Sequence, residues 1–112
     1  MYTEKKQVME KVFKLIGGKW NSSILCIINK HGPIRFGELK RKVPGISQRV
    51  LTSSLKAFEK AELIEREDFG GVPPKVEYRI TKKGEELKEI SYAVFRFGAK
   101  FEKLKLYARD RE

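Results

Sequence analysis

The sequence predicts a mainly helical α+β fold: four short helices, a two-stranded β-hairpin and a long C-terminal helix. Three observations predict it. Apolar residues recur at helical spacing through residues 8–58, in runs cut by Gly and Pro. The period then falls to two, with Val76, Tyr78 and Ile80 alternating with Lys75, Glu77 and Arg79. Helical spacing returns after Thr81 and continues to Leu104. At 112 residues and 40% apolar content, the chain is expected to be a single domain, residues 1–112, with a core that needs neither metal nor disulfide.

Val8, Val12, Leu15 and Ile16 form one apolar stripe and predict a helix over residues 4–16, closed by Gly17-Gly18. Trp20, Ile24, Ile27 and Ile28, with Leu25 beside them, predict a second over 20–29, stopped by Gly32-Pro33. Ile34-Arg35 reads as a very short strand. A brief third helix covers 36–42 with Phe36 and Leu39 inward, and Pro44-Gly45 forces a turn. Ser47 is the candidate N-cap of a fourth helix over 48–60. Its core face is Val50, Leu51, Leu55 and Phe58; Gln48, Arg49, Thr52, Ser53, Lys56 and Lys60 lie opposite. Residues 63–69 and 75–80 make the hairpin, whose protruding tip is Gly70-Gly71-Val72-Pro73-Pro74. Thr81 is the candidate N-cap of the last helix, 82–107. There Leu87, Ile90, Val94, Phe97, Phe101 and Leu104 are spaced 3-4-3-4-3, the seam of a helix that packs along another helix, with Gly98 as a bend or break.

A short helix, a glycine turn and a longer helix constitute a helix-turn-helix, here residues 36–60, and a hairpin directly after it, residues 63–80, makes the unit a winged helix-turn-helix. Lys and Arg total 25 against 15 Asp and Glu, a formal +10 that draws the chain to polyanions. The polar face of the fourth helix suits the DNA major groove, with Gln48, Arg49, Thr52 and Ser53 expected at base edges. Arg pairs with guanine, Gln with adenine, and Ser or Thr with several bases. Ser47, Lys56, Lys40, Arg35, Arg66, Lys75 and Arg79 are expected at the DNA backbone or on the wing. The rival reading is a winged-helix module for RNA or protein contact, since fold does not dictate function. A protein-docking helix would carry apolar anchors where this one carries donors.

Nothing supports an enzyme. His31 is the single histidine and sits at a helix C-terminus, where it can cap carbonyls. Ser22-Ser23 and Ser53-Ser54 have no histidine partner, and Gly70-Gly71 lacks phosphate-loop spacing. Cys26 is the only cysteine, so an intrachain disulfide and a cysteine metal cluster are excluded. Between Leu25 and Ile27 it is expected to be an inert core residue. Trp20 and the Phe residues at 13, 36, 58, 95, 97 and 101 stand at core spacing. No catalytic residue, metal or cofactor is expected. The polar start is no signal peptide and no apolar run could span a bilayer, so the expectation is a cytoplasmic protein without membrane contact.

These stretches resemble the HxlR-type winged helix-turn-helix regulators, relatives of the MarR regulators. The resemblance rests on Gly17-Gly18-Lys19-Trp20, Gly32-Pro33-Ile34-Arg35-Phe36-Gly37-Glu38-Leu39, Pro44-Gly45-Ile46-Ser47-Gln48-Arg49-Val50-Leu51-Thr52, Leu55-Lys56 through Glu59, Leu63-Ile64-Glu65-Arg66, Pro73-Pro74-Lys75-Val76-Glu77-Tyr78 and Thr81 through Gly84. They occur in order over nearly the whole chain. The resemblance implies a transcription regulator whose helix from Ser47 enters the major groove and whose hairpin is the wing. It implies a homodimer joined by the N-terminal and C-terminal helices, with Val8, Val12, Leu87, Ile90, Val94, Phe97, Phe101 and Leu104 at the interface. A two-fold dimer sets two recognition helices about 34 Å apart, so the double-stranded operator is expected to be pseudo-palindromic. Any small-molecule effector is expected between the subunits, its identity open. Members often carry a Cys upstream of the Gly-Gly-Lys-Trp stretch, which some use to sense oxidants; Gln7 stands there instead.

Overall fold

The computed structural model describes residues 2–102. The glycine and proline punctuation divides the chain as expected. α1 (Tyr2–Ile16), α2 (Asn21–His31), α3 (Phe36–Lys42) and α4 (Gln48–Lys60) precede an antiparallel hairpin of β1 (Ile64–Gly70) and β2 (Lys75–Ile80). α5 (Lys82–Phe97) follows, and a π-helical turn, Gly98–Glu102, continues it. The architecture is mainly helical α+β.

α2 is the central helix. Ile24, Leu25 and Ile28 are buried against Leu39 of α3, Leu51, Leu55 and Phe58 of α4, and Leu87 of α5. Ile34, Val43 and Ile46 from the connections, and Leu63 and Ile64 at the foot of the hairpin, complete this core. Burying each such side chain contributes about 1.5–3 kcal/mol relative to leaving it in water. The described residues bury no polar or charged side chain fully.

Two caps set helix starts. The Ser47 hydroxyl accepts from Val50 N at 3.1 Å and so opens α4; the Thr81 hydroxyl accepts from Gly84 N at 3.0 Å and opens α5. Between α3 and α4, Gly45 takes φ 89°, a conformation a side chain would strain, and so lets the turn close. The hairpin is pinned to the body by a two-bond bridge: Ile34 N donates to Tyr78 O (2.9 Å) and Tyr78 N to Ile34 O (2.8 Å). That bridge realises the short strand expected at Ile34-Arg35, although Arg35 itself is the N-cap residue of α3.

Several expectations need correction. α1 begins two residues before 4, α2 runs two residues past 29, and β1 covers Ile64–Gly70 rather than 63–69. Cys26 is exposed. A helix turns about 100° per residue, so with Ile24, Leu25 and Ile28 inward the thiol points away from the core. Val50 is 38% exposed for the same reason, because Leu51, Leu55 and Phe58 take the inner face of α4. Phe58 is buried and Trp20 and Phe36 are half-buried, but Phe13, Phe95, Phe97 and Phe101 are exposed. α5 proper ends at Phe97, at the Gly98 break; residues 103–107 of the expected helix, with Leu104, lie outside the described residues. His31 does not cap α2. Its Nδ1 lies 3.1 Å from the Pro33 carbonyl oxygen and its Nε2 donates to the Glu38 carboxylate at 3.0 Å, joining α2 to α3.

Candidate nucleic-acid interface

α4 has one face in the core and one in solvent. With Leu51, Leu55 and Phe58 buried, the helical repeat sends Gln48, Arg49, Thr52, Ser53 and Lys56 outward together. Gln48, Arg49, Ser53 and Lys56 are exposed and Thr52 is half-buried. None of these five side chains has a hydrogen bond or ion pair to another described residue. They form a row of unengaged donors on a rigid element. Ser47 at its head takes an orphan N–H of the first turn, and its own proton remains to donate. Ser47→Ala is expected to cost about 1 kcal/mol of stability. A chemical denaturation midpoint equal to wild type would contradict that role.

The hairpin stands beside α4, and a cleft of about 380 Å³ separates them. Gln48, Thr52, Lys56 and Glu59 line one wall; Arg66, Val76 and Tyr78 line the other. The strand pleat places Arg66, opposite Tyr78, on the face that looks into this cleft. No hydrogen bond or ion pair ties up the Arg66 guanidinium among the described residues.

The other cations expected on the wing are occupied. The Arg79 guanidinium is paired with the Glu67 carboxylate across the strands. Lys75 lies 3.9 Å from Glu77 and 4.9 Å from the centre of the Phe69 ring. Arg35 donates to the Pro74 carbonyl at 3.2 Å, which ties the return strand to the start of α3. Asp68 accepts from Gly70 N at 2.8 Å where the strand register shifts. The cations of the outer hairpin face are therefore engaged, and among the described residues Arg66, on the cleft face, is the hairpin's free cation. The tip carries no charge. Val72 is fully exposed there, so the wing ends in a small apolar point. Lys40 of α3 is half-buried and belongs to neither wall of the cleft.

Sequence reasoning missed four residues. Glu59 brings a carboxylate into the cleft, and its place on the outward stripe of α4 was a readable signal. Val72 was legible as the only apolar side chain in the tip other than proline. Asn21 and Ser54, which meet through a hydrogen bond of 3.1 Å, had no local signal.

Nine large apolar side chains of the described residues are exposed on α1, α5 and the π-turn: Val8, Met9 and Phe13 on the first, Ile90, Tyr92, Val94, Phe95, Phe97 and Phe101 on the others. Exposed apolar side chains gathered on a few elements mark interaction surfaces. Of the residues expected at the interface, Ile90, Val94, Phe97, Phe101 and Val8 lie on this surface and Val12 is half-buried. Leu87, at 7% exposure, belongs to the core of the single chain.

No described helix is long and apolar enough to cross a membrane, and no described group of His, Cys, Asp and Glu could hold a metal ion. The HxlR-like helix-turn-helix family profile matches residues 15–105. An HTH-type transcriptional regulator of Methanothermobacter thermautotrophicus is 46% identical over 83 residues, 74% of this chain; the chain spans 63% of that relative's length. The reduced form of the transcriptional regulator YodB from Bacillus subtilis superposes with a TM-score of 0.74 at 35% identity, over 83% of this chain and 90% of YodB. A MarR-family transcriptional regulator from Enterococcus faecalis superposes with a TM-score of 0.77 at 36% identity, over 92% of this chain and 93% of its own. These neighbours are winged-helix transcriptional regulators, not enzymes. With its helix-turn-helix followed by a hairpin, the chain belongs to the HxlR-like helix-turn-helix family of transcriptional regulators.

Proposed function

We propose that this regulator binds double-stranded DNA sequence-specifically as a homodimer, with α4 in the major groove and the hairpin along the flanking backbone and minor groove. The row of unengaged side chains on α4, Gln48 to Lys56, carries this reading. Side chains held ready on a rigid helix lose less entropy on contact than groups that must first leave an intramolecular partner. Gln48, Arg49, Thr52 and Ser53 reach base edges; Ser47, Lys56 and Arg66 meet phosphates. Lys40, Arg35, Lys75 and Arg79 act through the field of the +10 chain, the last three with their heads already engaged. Val72 meets the groove wall by van der Waals contact rather than by charge.

The homodimer forms through the apolar surface of α1 and α5, with Val8, Val12, Ile90, Val94, Phe97 and Phe101 in contact and Leu87 supporting them from the core. Leu104 belongs to the same seam by its spacing. Two copies of α4 then face successive major grooves of a pseudo-palindromic operator, about 34 Å apart. RNA or protein binding is the weaker reading, because the exposed face of α4 holds donors and no apolar anchor beyond Val50.

Fluorescence anisotropy across a salt series tests this with duplex from upstream of the gene against random duplex. Wild type should discriminate by about 10³-fold or more, and binding should weaken steeply with salt. Arg49→Ala should reduce that discrimination by about 10–100-fold, as loss of a bidentate base contact requires. Equal weakening on both duplexes would make Arg49 a phosphate contact instead.

A further inference from the structure

α1 touches the rest of the fold at its C-terminal end. Through residues 3–11 every side chain is exposed, and only Val12, Leu15 and Ile16 pack against the core. Its last carbonyls have no partner within the helix and need donors from elsewhere. Asn21 Nδ2 donates to Leu15 O at 3.0 Å and lies 3.4 Å from Lys14 O, and Ser22 Oγ donates to Ile16 O at 2.9 Å. On its other side, the Asn21 amide oxygen accepts from Ser54 Oγ, in the middle of α4, at 3.1 Å. One half-buried amide therefore bonds to the end of α1 and to α4 at once.

The surroundings give that amide a particular weight. Beyond it, α1 and α4 are separated by a cleft of about 540 Å³. Lys11 and Lys14 line one wall and Lys60 the other, and no acid lines it. Like charges on facing walls push the helices apart. The apolar lining of that cleft is Leu15 and Ala57, and the directional Asn21–Ser54 bond at its edge opposes the repulsion as well. A hydrogen bond is directional, so it holds an angle as well as a distance.

We propose that Asn21 and Ser54 are positioning residues that set the angle between α1 and the recognition helix, and through it the half-site spacing the regulator accepts. The inference rests on the homodimer reading. If α1 joins the partner, its angle to α4 decides how far apart the two recognition helices stand. Asn21 touches no base and has no part in the chemistry of readout.

The test has two arms, each on the full chain with Asn21→Ala and Ser54→Ala. Ser54→Ala cuts the bridge but keeps the donors at the end of α1. In the first arm, spin labels at positions 6 and 59 of a Cys26→Ser protein, diluted with unlabelled chain, report the distance between α1 and α4 within one copy. A narrow wild-type distribution should broaden or shift in both variants. In the second, binding is measured to duplexes whose half-sites are moved by single base pairs and to an isolated half-site. Preference for the native spacing should fall by about fivefold or more, while affinity for one half-site stays at the wild-type value. Unchanged distances in both variants overturn the proposal. So do altered distances with a spacing preference as sharp as wild type, or a half-site affinity that falls in parallel. A wild-type protein that sediments as a monomer and shows no spacing preference defeats the homodimer reading instead, and the intrachain distances still decide whether Asn21 and Ser54 hold the angle.

Discussion

Gly84→Ala is expected to destabilise the fold by about 3 kcal/mol or more, and to lower the thermal midpoint by about 15 °C. Helix propensity alone predicts the reverse, since alanine in a helix is favoured over glycine by about 1 kcal/mol. The packing at the start of α5 decides the sign. A methyl carbon on Gly84 would fall well inside contact distance of the Leu63 carbonyl oxygen, and within 2.8 and 2.9 Å of Ile80 Cδ1 and Cγ1. The isoleucine could turn aside; the carbonyl could not. Leu63 O accepts from Thr81 N at 3.0 Å and lies 3.0 Å from the Thr81 hydroxyl, the same hydroxyl that caps α5. Making room for the methyl therefore disturbs the cap, the foot of the hairpin and the seating of α5 together. Gly37→Ala is the control. Its new carbon would meet only the end of the Arg41 side chain at 3.6 Å, so propensity should prevail and stability should hold or rise. Denaturation of the two variants beside wild type checks both. A Gly84→Ala midpoint at or above wild type would refute the close approach.

Phe97→Asp, or Phe101→Asp, should yield a folded monomer whose operator affinity is lower by about a hundredfold or more, through loss of the second half-site contact. The two rings pack on each other at 5.1 Å between centroids but remain 59% and 60% exposed in the single chain. A carboxylate there meets water in the monomer and is buried only in a dimer, where an unpaired charge is costly. Sedimentation velocity reads the mass and circular dichroism the helix content. Leu87→Asp provides the contrast. That side chain is 7% exposed within one chain, so its replacement should unfold the protein rather than divide a dimer. A Phe97→Asp protein that stays folded and dimeric would remove α5 from the interface.

Features of short range are legible in the residues themselves. Ser47 and Thr81 are recognisable as caps because a cap bonds three residues along its own chain. The hairpin is legible from its two-residue period, and the break at Gly98 from glycine inside a helical pattern. The outward stripe of α4 follows from helical geometry and polarity alone. Errors arise where several apolar residues share a turn. Around Leu25 and around Leu51, periodicity does not say which neighbour turns inward, and Cys26 and Val50 are misplaced for that reason. The seam of α5 shows the same ambiguity, since spacing cannot separate a residue that fills its own core, such as Leu87, from one left for another helix, such as Phe97.

By itself, then, the sequence determined the order of elements, the starts of α3, α4 and α5, the donor-rich face of α4, the positive charge and the family resemblance. Each is a property of residue type or of neighbours a few positions apart. Only the tertiary structure decided which cations are free. Arg79 meets Glu67 and Arg35 meets the Pro74 carbonyl because the strands and α3 are brought together, leaving Arg66 facing α4. It also decided that Gly84 has no room for a methyl group, and that Asn21 bonds to both α1 and α4. Those partners lie 6 to 33 residues from Asn21 along the chain, and no local pattern joins residues whose contact is made by packing.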